Sequence, residues 1–579
     1  MTRLFGDPDR FGEDSLRGFA AAYPDYVTVV PGGVIRSRAP RDGQVAVVVG
    51  GGSGHYPAFS GLVGSGLATG AVVGNIFTSP SARQAESVAR AADNGGGVLL
   101  SFGNYAGDRL NFGMAQQRLR DAGIDTRTVL VTDDVASAPA DRRHERRGIA
   151  GDFTVFKVAG AAAEEGLDLD GVERAARHAN DRTFSFGVAF AGCTMPGADR
   201  PLFEVPERSM AVGLGIHGEP GVRDEAMADA AGLARTLVAR LLEERPAEAG
   251  GRVAAVLNGL GATKYEELFL LWGHVQDELS AAGLTVVRPE VGELVTSLDM
   301  AACSLTLMWL DEDLERWWTA PADAPGYRRT AAVPPVPGQR GPAPDAAAAQ
   351  PEVPLPPADQ ASRATAALLL AGLHAMQQAL HEHAAELGRI DAVAGDGDHG
   401  RGMCKGIDAA VRAATAVDLR GGGAASVLTA AADAWADEAG GTSGVLWGVG
   451  LRALADGLGN TGAATGPRIA AAGRAAAAAV TGLGGAAVGD KTLVDALVPL
   501  VGTLTAEIAA GRPVGQALAS AAAAATAAAE DTARLTPRLG RARPLAERSV
   551  GTPDAGALSL ALCARTVAAL DCVPAAAHE

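Results

Sequence analysis

Positive charge is what this chain has too little of. It carries 50 Lys and Arg against 67 Asp and Glu, a formal net charge of −17. A nucleic-acid binder needs a basic patch or stripe, and anionic lipid attracts polybasic segments, so the balance argues against both partners. Phosphates would have to be met by local positive sites, supplied by metal ions, helix N-termini or a few basic side chains. Cysteine is scarce too. The five cysteines, Cys193, Cys303, Cys404, Cys563 and Cys572, are scattered, odd in number and never spaced as CxxC, which leaves neither a zinc site nor a disulfide framework. Long bulky apolar runs are missing. The alanine-rich stretches near 470–480 and 516–529 carry Arg or Thr and lack the residues of a membrane span. The start, MTRLFGDPDR, has no apolar segment of a signal peptide. These absences predict a soluble protein of a reducing, cytoplasmic compartment, with no membrane partner.

What is present in quantity is glycine, 75 residues in a chain of 579. At ~150 residues per domain the length suggests three or four domains. Residues 321–358 are rich in Pro, Ala and Gly without periodicity, which reads as a linker, semi-rigid where prolines cluster. Before it, VAVVVG (45–50), GVLLSFG (97–103), TVLVTDD (128–134) and RVAAVLNGLG (252–261) read as buried strands. SARQAESVARAADNGG and NFGMAQQRLRDAG between them read as amphipathic helices closing on glycine. Such alternation predicts α/β architecture with a largely parallel sheet. A further strand group, FSFGVAFAGCT, SMAVGLGIHG, LTVVRP and SLTLMWL, predicts two lobes, about 1–185 and 186–320, in one substrate-type half spanning 1–320. From 359 to 579 the pattern is helical, which predicts an all-α bundle or barrel.

Chemistry concentrates on glycine-rich loops. GGGSGHYPAF (50–59) follows the strand VAVVVG, at the strand edge where open α/β sheets bind ligands. It has no GK[ST], so it is not a P-loop. SFGNYAGDRLNF (101–112) repeats the arrangement and carries Asp108, which an ordinary helix N-cap would also explain. GLGIHGEPG (213–221) holds His217 with no hydrophobic periodicity around it. His55, Asp108 and His217 together would suit acid–base work on a hydroxyl. In the helical half, RIDAVAGDGDHGRGM (389–403) carries Asp391, Asp396 and Asp398. Hard oxygen donors clustered this way suit Mg²⁺ better than zinc, and an EF-hand is ruled out because its twelfth position would be Ile407. AGGTSG (439–444), GLGG (482–485) and GRARPLAERSVGTPDAGA (540–557) add glycine and hydroxyl turns. Backbone amides and helix N-termini there could hold phosphates, with Arg541 or Arg548 as counter-charge.

With these motifs in order, the chain resembles the single-chain, ATP-dependent dihydroxyacetone kinases. GGGSGH, GNYAGD, DDVA with RRGIAG, GIHGEPG, NGLG and EVGELVTSLDMA fall in the order of that family's substrate half. GDGDHG, GGTSG, GDKTLVDAL and GRA…ERS…DAGA follow the order of its nucleotide half. The resemblance implies a two-lobed α/β substrate half and a nucleotide half built as a barrel of antiparallel helices, with ATP and two Mg²⁺ at one end. It implies that His217 adds to the substrate ketone as a covalent hemiaminal, that Asp108 takes the hydroxyl proton and that His55 polarises the reacting group. The substrate loop would comprise Gly52, Ser53, Gly54, His55, Tyr56 and Gly103. Asp391, Asp396 and Asp398 would hold Mg²⁺, and His399, Gly400, Thr442, Ser443, Gly484, Thr492, Leu493, Arg541, Asp554, Ala555 and Gly556 would hold the nucleotide. A homodimer pairing one subunit's substrate half with the other's nucleotide half is also implied. Two departures bear on the sugar: the family's GGGSGHEP reads GGGSGHYP, and its KNYTGD reads GNYAGD. Tyr56 thus replaces a glutamate and Gly103 a lysine, which predicts room for dihydroxyacetone or a longer ketose such as erythrulose. Alternatives are an FAD-cleaving cyclase activity of the helical half and a non-catalytic ketose sensor.

Overall fold

The structure is a computed structural model that describes residues 2–217, 219, 221–331, 354–439, 441–539 and 546–570. It divides into two compact units, Met1–Gln339 and Arg340–Glu579.

In the first unit one sheet contains β1 (Val27–Val30), β2 (Gly33–Arg36), β3 (Ala46–Ser53), β4 (Gly70–Ile76), β5 (Val98–Gly103) and β6 (Thr126–Val131), in the order β1-β2-β4-β3-β5-β6. β4, β3, β5 and β6 run parallel, while β1 and β2 form an antiparallel hairpin on the edge. Alternation along β3 shows why its run is unbroken by polar residues. Ala46 and Val48 pack with Phe102, Phe112 and the helices 82–92 and 106–121. Val45, Val47 and Val49 face the opposite core with Phe153, Phe156 and Val172. Both faces of the sheet are covered, so both sets of alternate positions must be apolar.

A second sheet comprises β7 (Thr183–Ala191), β8 (Ser209–Val212), β9 (Arg223–Ala226), β10 (Arg252–Gly259), β11 (Thr285–Val286), β12 (Glu290–Gly292) and β13 (Ala301–Trp309). Its order is β11-β10-β13-β7-β8-β9, with β12 also on β10. Four of its pairings are antiparallel, β10–β13, β13–β7, β7–β8 and β8–β9. RVAAVLNGLG therefore does not extend the parallel sheet. Its continuous apolar run comes from burial on both faces, a condition that helix-covered antiparallel strands satisfy as well. The helix Gly151–Glu165, buried from Gly151 through Ala163, shares a core with Val47 and Val49 of the first sheet and Ala254 and Val256 of the second. The other face of the second sheet is closed by helices 230–242 and 265–281 through Leu237, Leu241, Leu268 and Val275.

The predicted boundary at 320 falls short. β14 (Ala322–Ala324) and β15 (Tyr327–Arg329) form a hairpin at the start of the proposed linker. Ala322, Ala324, Tyr327 and Arg329 are buried against the first unit, an alternation concealed by the Pro and Ala around it. Residues 332–353 of the linker lie outside the described residues.

Among its described residues the second unit contains helices and no strand. Helices Gln360–Asp391, His399–Leu419, Ala424–Ala439, Gly441–Leu458, Gly466–Gly484, Val494–Ala509, Val514–Asp531 and Ala555–Ala568 each pack on the next, and the last packs on the first. The ring closes as a barrel. Asp359 starts it as an N-cap, its carboxylate accepting from Ser362 N at 2.8 Å. Among the described residues no helix is long and apolar enough to cross a membrane. The four described cysteines are free and buried; Cys572 lies outside the described residues.

Candidate active site

In the first unit, loops from the two sheets meet above the carboxyl end of β3. The chain leaves β3 through Gly54, whose φ of +103° needs a residue without a side chain. Two backbone bonds then tie the loop to the segment before β13, Thr296 N to His55 O at 3.2 Å and Leu298 N to Gly54 O at 2.9 Å. Ser297 Oγ in turn donates to the carbonyl of Ile216. His55 and His217 thereby face each other, Nε2 to Nε2, at 3.0 Å.

The second nitrogen of each ring is also engaged. His55 Nδ1 lies 2.7 Å from the carbonyl oxygen of Thr296, which can only accept, so Nδ1 carries the proton. His55 is 1% exposed and its ring stacks on Phe77 at 5.0 Å. Burial, and then the neighbouring His217, push its pKa down to about 3. His217 Nδ1 lies 3.2 Å from Glu219 Oε1, and its backbone N–H donates to Glu219 Oε2 at 2.9 Å. Tyr105 packs edge-on against the His217 ring at 4.6 Å. Glu219 is held well down, to about 2, where burial alone would raise it; the bond to His217 and the charges of His217 and Arg147 outweigh that burial.

Asp108 sits in the first turn of helix Ala106–Asp121, only 8% exposed. It is not the N-cap; Tyr105 is. Burial raises its pKa, against a bond from Ser79 and the charge of His217. Its Oδ1 is buried without a hydrogen-bond partner, an arrangement that native interiors seldom leave unexplained. Two residues assigned to the substrate loop also contact the first helix and its surroundings. Tyr56 is 46% exposed and packs on Phe19 at 5.9 Å; burial and a bond with Tyr23 raise its pKa. Ser53 turns toward the first helix, where a Cβ on Gly12 would lie 3.0 Å from its Oγ. The space beside Gly103 is partly taken, since a Cβ there would stand 3.1 Å from Tyr105 Cε2 and 3.3 Å from Gly148 O. Gly52 lies against the next loop, with a Cβ there 2.6 Å from Thr78 N.

His55 gives a stability prediction. Its folded pKa of about 3 lies below the ordinary 6.5, so the unfolded chain takes up this proton first. The contribution of the neutral ring is complete above 6.5 and is lost as pH falls from there to about 3, at about 1.4 kcal/mol per pH unit. Denaturant titrations of the wild type and His55→Gln should converge in stability across this window. Buried carboxylates act in both proteins, so the difference isolates the histidine. Parallel pH curves would contradict the assignment.

In the second unit a cavity of about 520 Å³ opens at one end of the barrel. Asp391, Asp396, Asp398, His399, Thr442, Ser443, Gly484, Thr492, Leu493, Asp554, Ala555 and Gly556 line it. One carboxylate oxygen from each of Asp391, Asp396 and Asp398 can be chosen so that all lie within 4.8 Å of one another. Asp391 Oδ2 also accepts from Gly397 N at 2.9 Å, which shapes the turn. An all-carboxylate donor set fits Mg²⁺. Asp554, the N-cap of the last helix, is pushed up to about 6 by burial, and burial lowers the pKa of His399, whose Nε2 is 2.9 Å from Ser559 Oγ. Gly400 does not line the cavity. A Cβ there would lie 2.0 Å from Ala384 O, so this glycine lets two helices approach. Arg541 lies outside the described residues.

Four contributors had no assigned role in the sequence. Glu219 stood in the quoted GIHGEPG, where a carboxylate two residues after a histidine was the available signal. Arg147 and Asp134 stood in RRGIAG and DDVA. Lys491, in GDKTLVDAL, lines the barrel cavity and donates to Ser549 O at 2.7 Å and Leu535 O at 3.1 Å.

Comparison with known proteins agrees with this division. The Dak1 domain matches residues 17–326 and the DAK2 domain residues 393–569. The chain is 59% identical over 574 residues to the D-erythrulose kinase of Mycolicibacterium smegmatis, covering 99% of each chain. It is 54% identical to the L-erythrulose kinase of Pectobacterium atrosepticum, covering 98% of this chain and 96% of that one. Among solved structures, the dihydroxyacetone kinase of C. freundii aligns over 98% of this chain and 99% of its own, with 30% identity and a TM-score of 0.59. The same enzyme has been solved with AMP-PNP and Mg²⁺, at 28% identity and a TM-score of 0.58. With both domains matched in order along nearly its whole length, the chain belongs to the single-chain dihydroxyacetone kinase family.

Proposed function

We propose that the protein is an ATP-dependent kinase that phosphorylates a terminal hydroxyl of a short ketose, erythrulose or dihydroxyacetone, while His217 holds the ketone as a hemiaminal. The observation that carries this reading is the orientation of His217. Its Nδ1 faces a carboxylate and its Nε2 faces the buried Nε2 of His55. A carboxylate accepts, so Nδ1 keeps its hydrogen and Nε2 is the nitrogen that can present a lone pair.

Addition takes the neutral ring: the His217 Nε2 lone pair forms the N–C bond while the carbonyl π pair moves onto oxygen, and the Nδ1–H of the resulting imidazolium stays bonded to Glu219 Oε1. A proton moved from Nδ1 to that oxygen through solvent gives a neutral hemiaminal with no net proton gained or lost, and His55 Nε2, whose lone pair is free because Nδ1 carries the hydrogen, can accept from the new hydroxyl. Burial raises Asp108 toward neutrality and makes it a better proton acceptor. Its unpartnered Oδ1 is suited to the acceptor hydroxyl as that oxygen attacks the terminal phosphate of ATP. In the second unit Asp391, Asp396 and Asp398 would hold Mg²⁺, which when bound neutralises phosphate charge. Such transfer depends mainly on positioning and charge stabilisation. ATP in the barrel cavity makes it the direct donor.

A ketose panel with ATP and Mg²⁺ tests the function. Phosphorylation of one erythrulose enantiomer with kcat/KM equal to or above that for dihydroxyacetone is expected. Gly103→Lys should lower the ratio of erythrulose to dihydroxyacetone kcat/KM by about tenfold or more, within what pocket contacts discriminate, because the new side chain must displace Tyr105 beside His217. A wild type that ignores both enantiomers and uses dihydroxyacetone well would overturn the preference. Failure on every short ketose would overturn the function.

A further inference from the structure

Behind His217 and Glu219 stands a second ion pair outside the acid–base and nucleophilic roles assigned so far. Asp134, with a side chain 1% exposed, binds Arg147 through Oδ2, at 2.8 Å from Nη2 and 3.0 Å from Nε. Its Oδ1 accepts from Ala136 N at 3.0 Å. The backbones are paired as well, Asp134 N to Arg147 O at 3.1 Å, and Arg147 N donates to Ser137 Oγ at 3.0 Å. The guanidinium is therefore held in one place, with Nη1 directed to Glu219 Oε1 at 3.7 Å. Gly215 permits this approach. A Cβ at that position would lie 2.3 Å from Glu219 Oε2 and 2.9 Å from Arg147 Nη1.

This arrangement addresses a conflict in the chemistry. Glu219 must accept from His217 Nδ1 to direct the lone pair to Nε2. An uncompensated carboxylate there would also stabilise the imidazolium and keep the proton on Nε2, where it blocks addition. A fixed cation on the far side of Glu219 offsets that charge while leaving the hydrogen bond in place.

We propose that Arg147, clamped by Asp134, is a positioning residue that lets Glu219 orient His217 without holding it protonated. The proposal rests on the hemiaminal reading. Other titratable groups set around His217 are His55, Asp108 and Tyr105, and each is left unchanged in the variants below.

The test is the pH dependence of ketose adduct formation on the full-length enzyme, read by intact-protein mass without ATP. Arg147→Gln should move the acid limb up by about one pH unit, the effect of removing one nearby charge, with most adduct formation recovered at high pH. Arg147→Lys, which keeps a cation, should leave the limb near the wild-type position. Glu219→Gln should move it the opposite way, to lower pH, at a reduced plateau. A structural role alone would lower the plateau of Arg147→Gln and leave its limb in place, and that result overturns the proposal. If Arg147→Gln fails to fold, Glu219→Gln decides: an acid limb that stays in place or moves up overturns it. A wild type without any adduct, yet active as a kinase, would overturn the hemiaminal itself and this proposal with it.

Discussion

His217→Ala is expected to lose the ketose adduct completely and to reduce kcat/KM by about a hundredfold or more. The methyl group leaves the pocket walls in place, since His55 is held by Thr296 and Phe77 and Asp108 by its helix. What disappears is the covalent fixation of the acceptor hydroxyl. Misplacement by about 1 Å can cost a hundredfold in a transfer reaction. Steady-state assays at saturating ATP, with intact-protein mass for the adduct, give the answer. Full activity would sink the tether, while slow residual turnover without adduct would mean that the tether assists positioning and the remaining groups still carry out transfer.

The second large effect belongs to the other unit. Asp396→Asn keeps the shape of the turn and removes one charge from three carboxylates whose oxygens lie within 4.8 Å. Calorimetric affinity for Mg·ATP should fall by at least about tenfold, or 1.4 kcal/mol. The ketose adduct should form as in the wild type, because it needs only residues of the first unit. Normal Mg·ATP binding in this variant would show the metal assignment to be wrong.

The two halves differed in what their sequences disclosed. The runs around 45–50, 97–103 and 128–134 became β3, β5 and β6 because full burial forces continuous apolar character. The same physics hid the direction of β10 and β13: burial dictates which residues are apolar and says nothing about how strands are paired. In the hairpin 322–329 only four alternate positions are buried, too few to stand out among prolines and alanines. The glycine loops pointed to the candidate site, because His55 and His217 stand among glycines without hydrophobic periodicity, and the structure brings the two rings within 3.0 Å. Yet the chain of partners behind His217 links residues 134, 147 and 219, and no spacing rule joins positions that far apart. Tyr56, whose departure from the family motif invites a substrate role, also packs its ring on Phe19 of the first helix, a contact that no motif discloses.

The central claim is that the ketose is carried as a tetrahedral adduct on His217 and is phosphorylated there by ATP. It is tested most directly by ¹³C NMR of the enzyme with erythrulose labelled at the carbonyl carbon. Without ATP a protein-bound tetrahedral carbon should appear in the wild type and be missing in His217→Ala. Addition of Mg·ATP should then discharge it as phosphorylated ketose. A bound ketose that keeps its trigonal carbonyl carbon and is nonetheless phosphorylated at the wild-type rate would contradict the account.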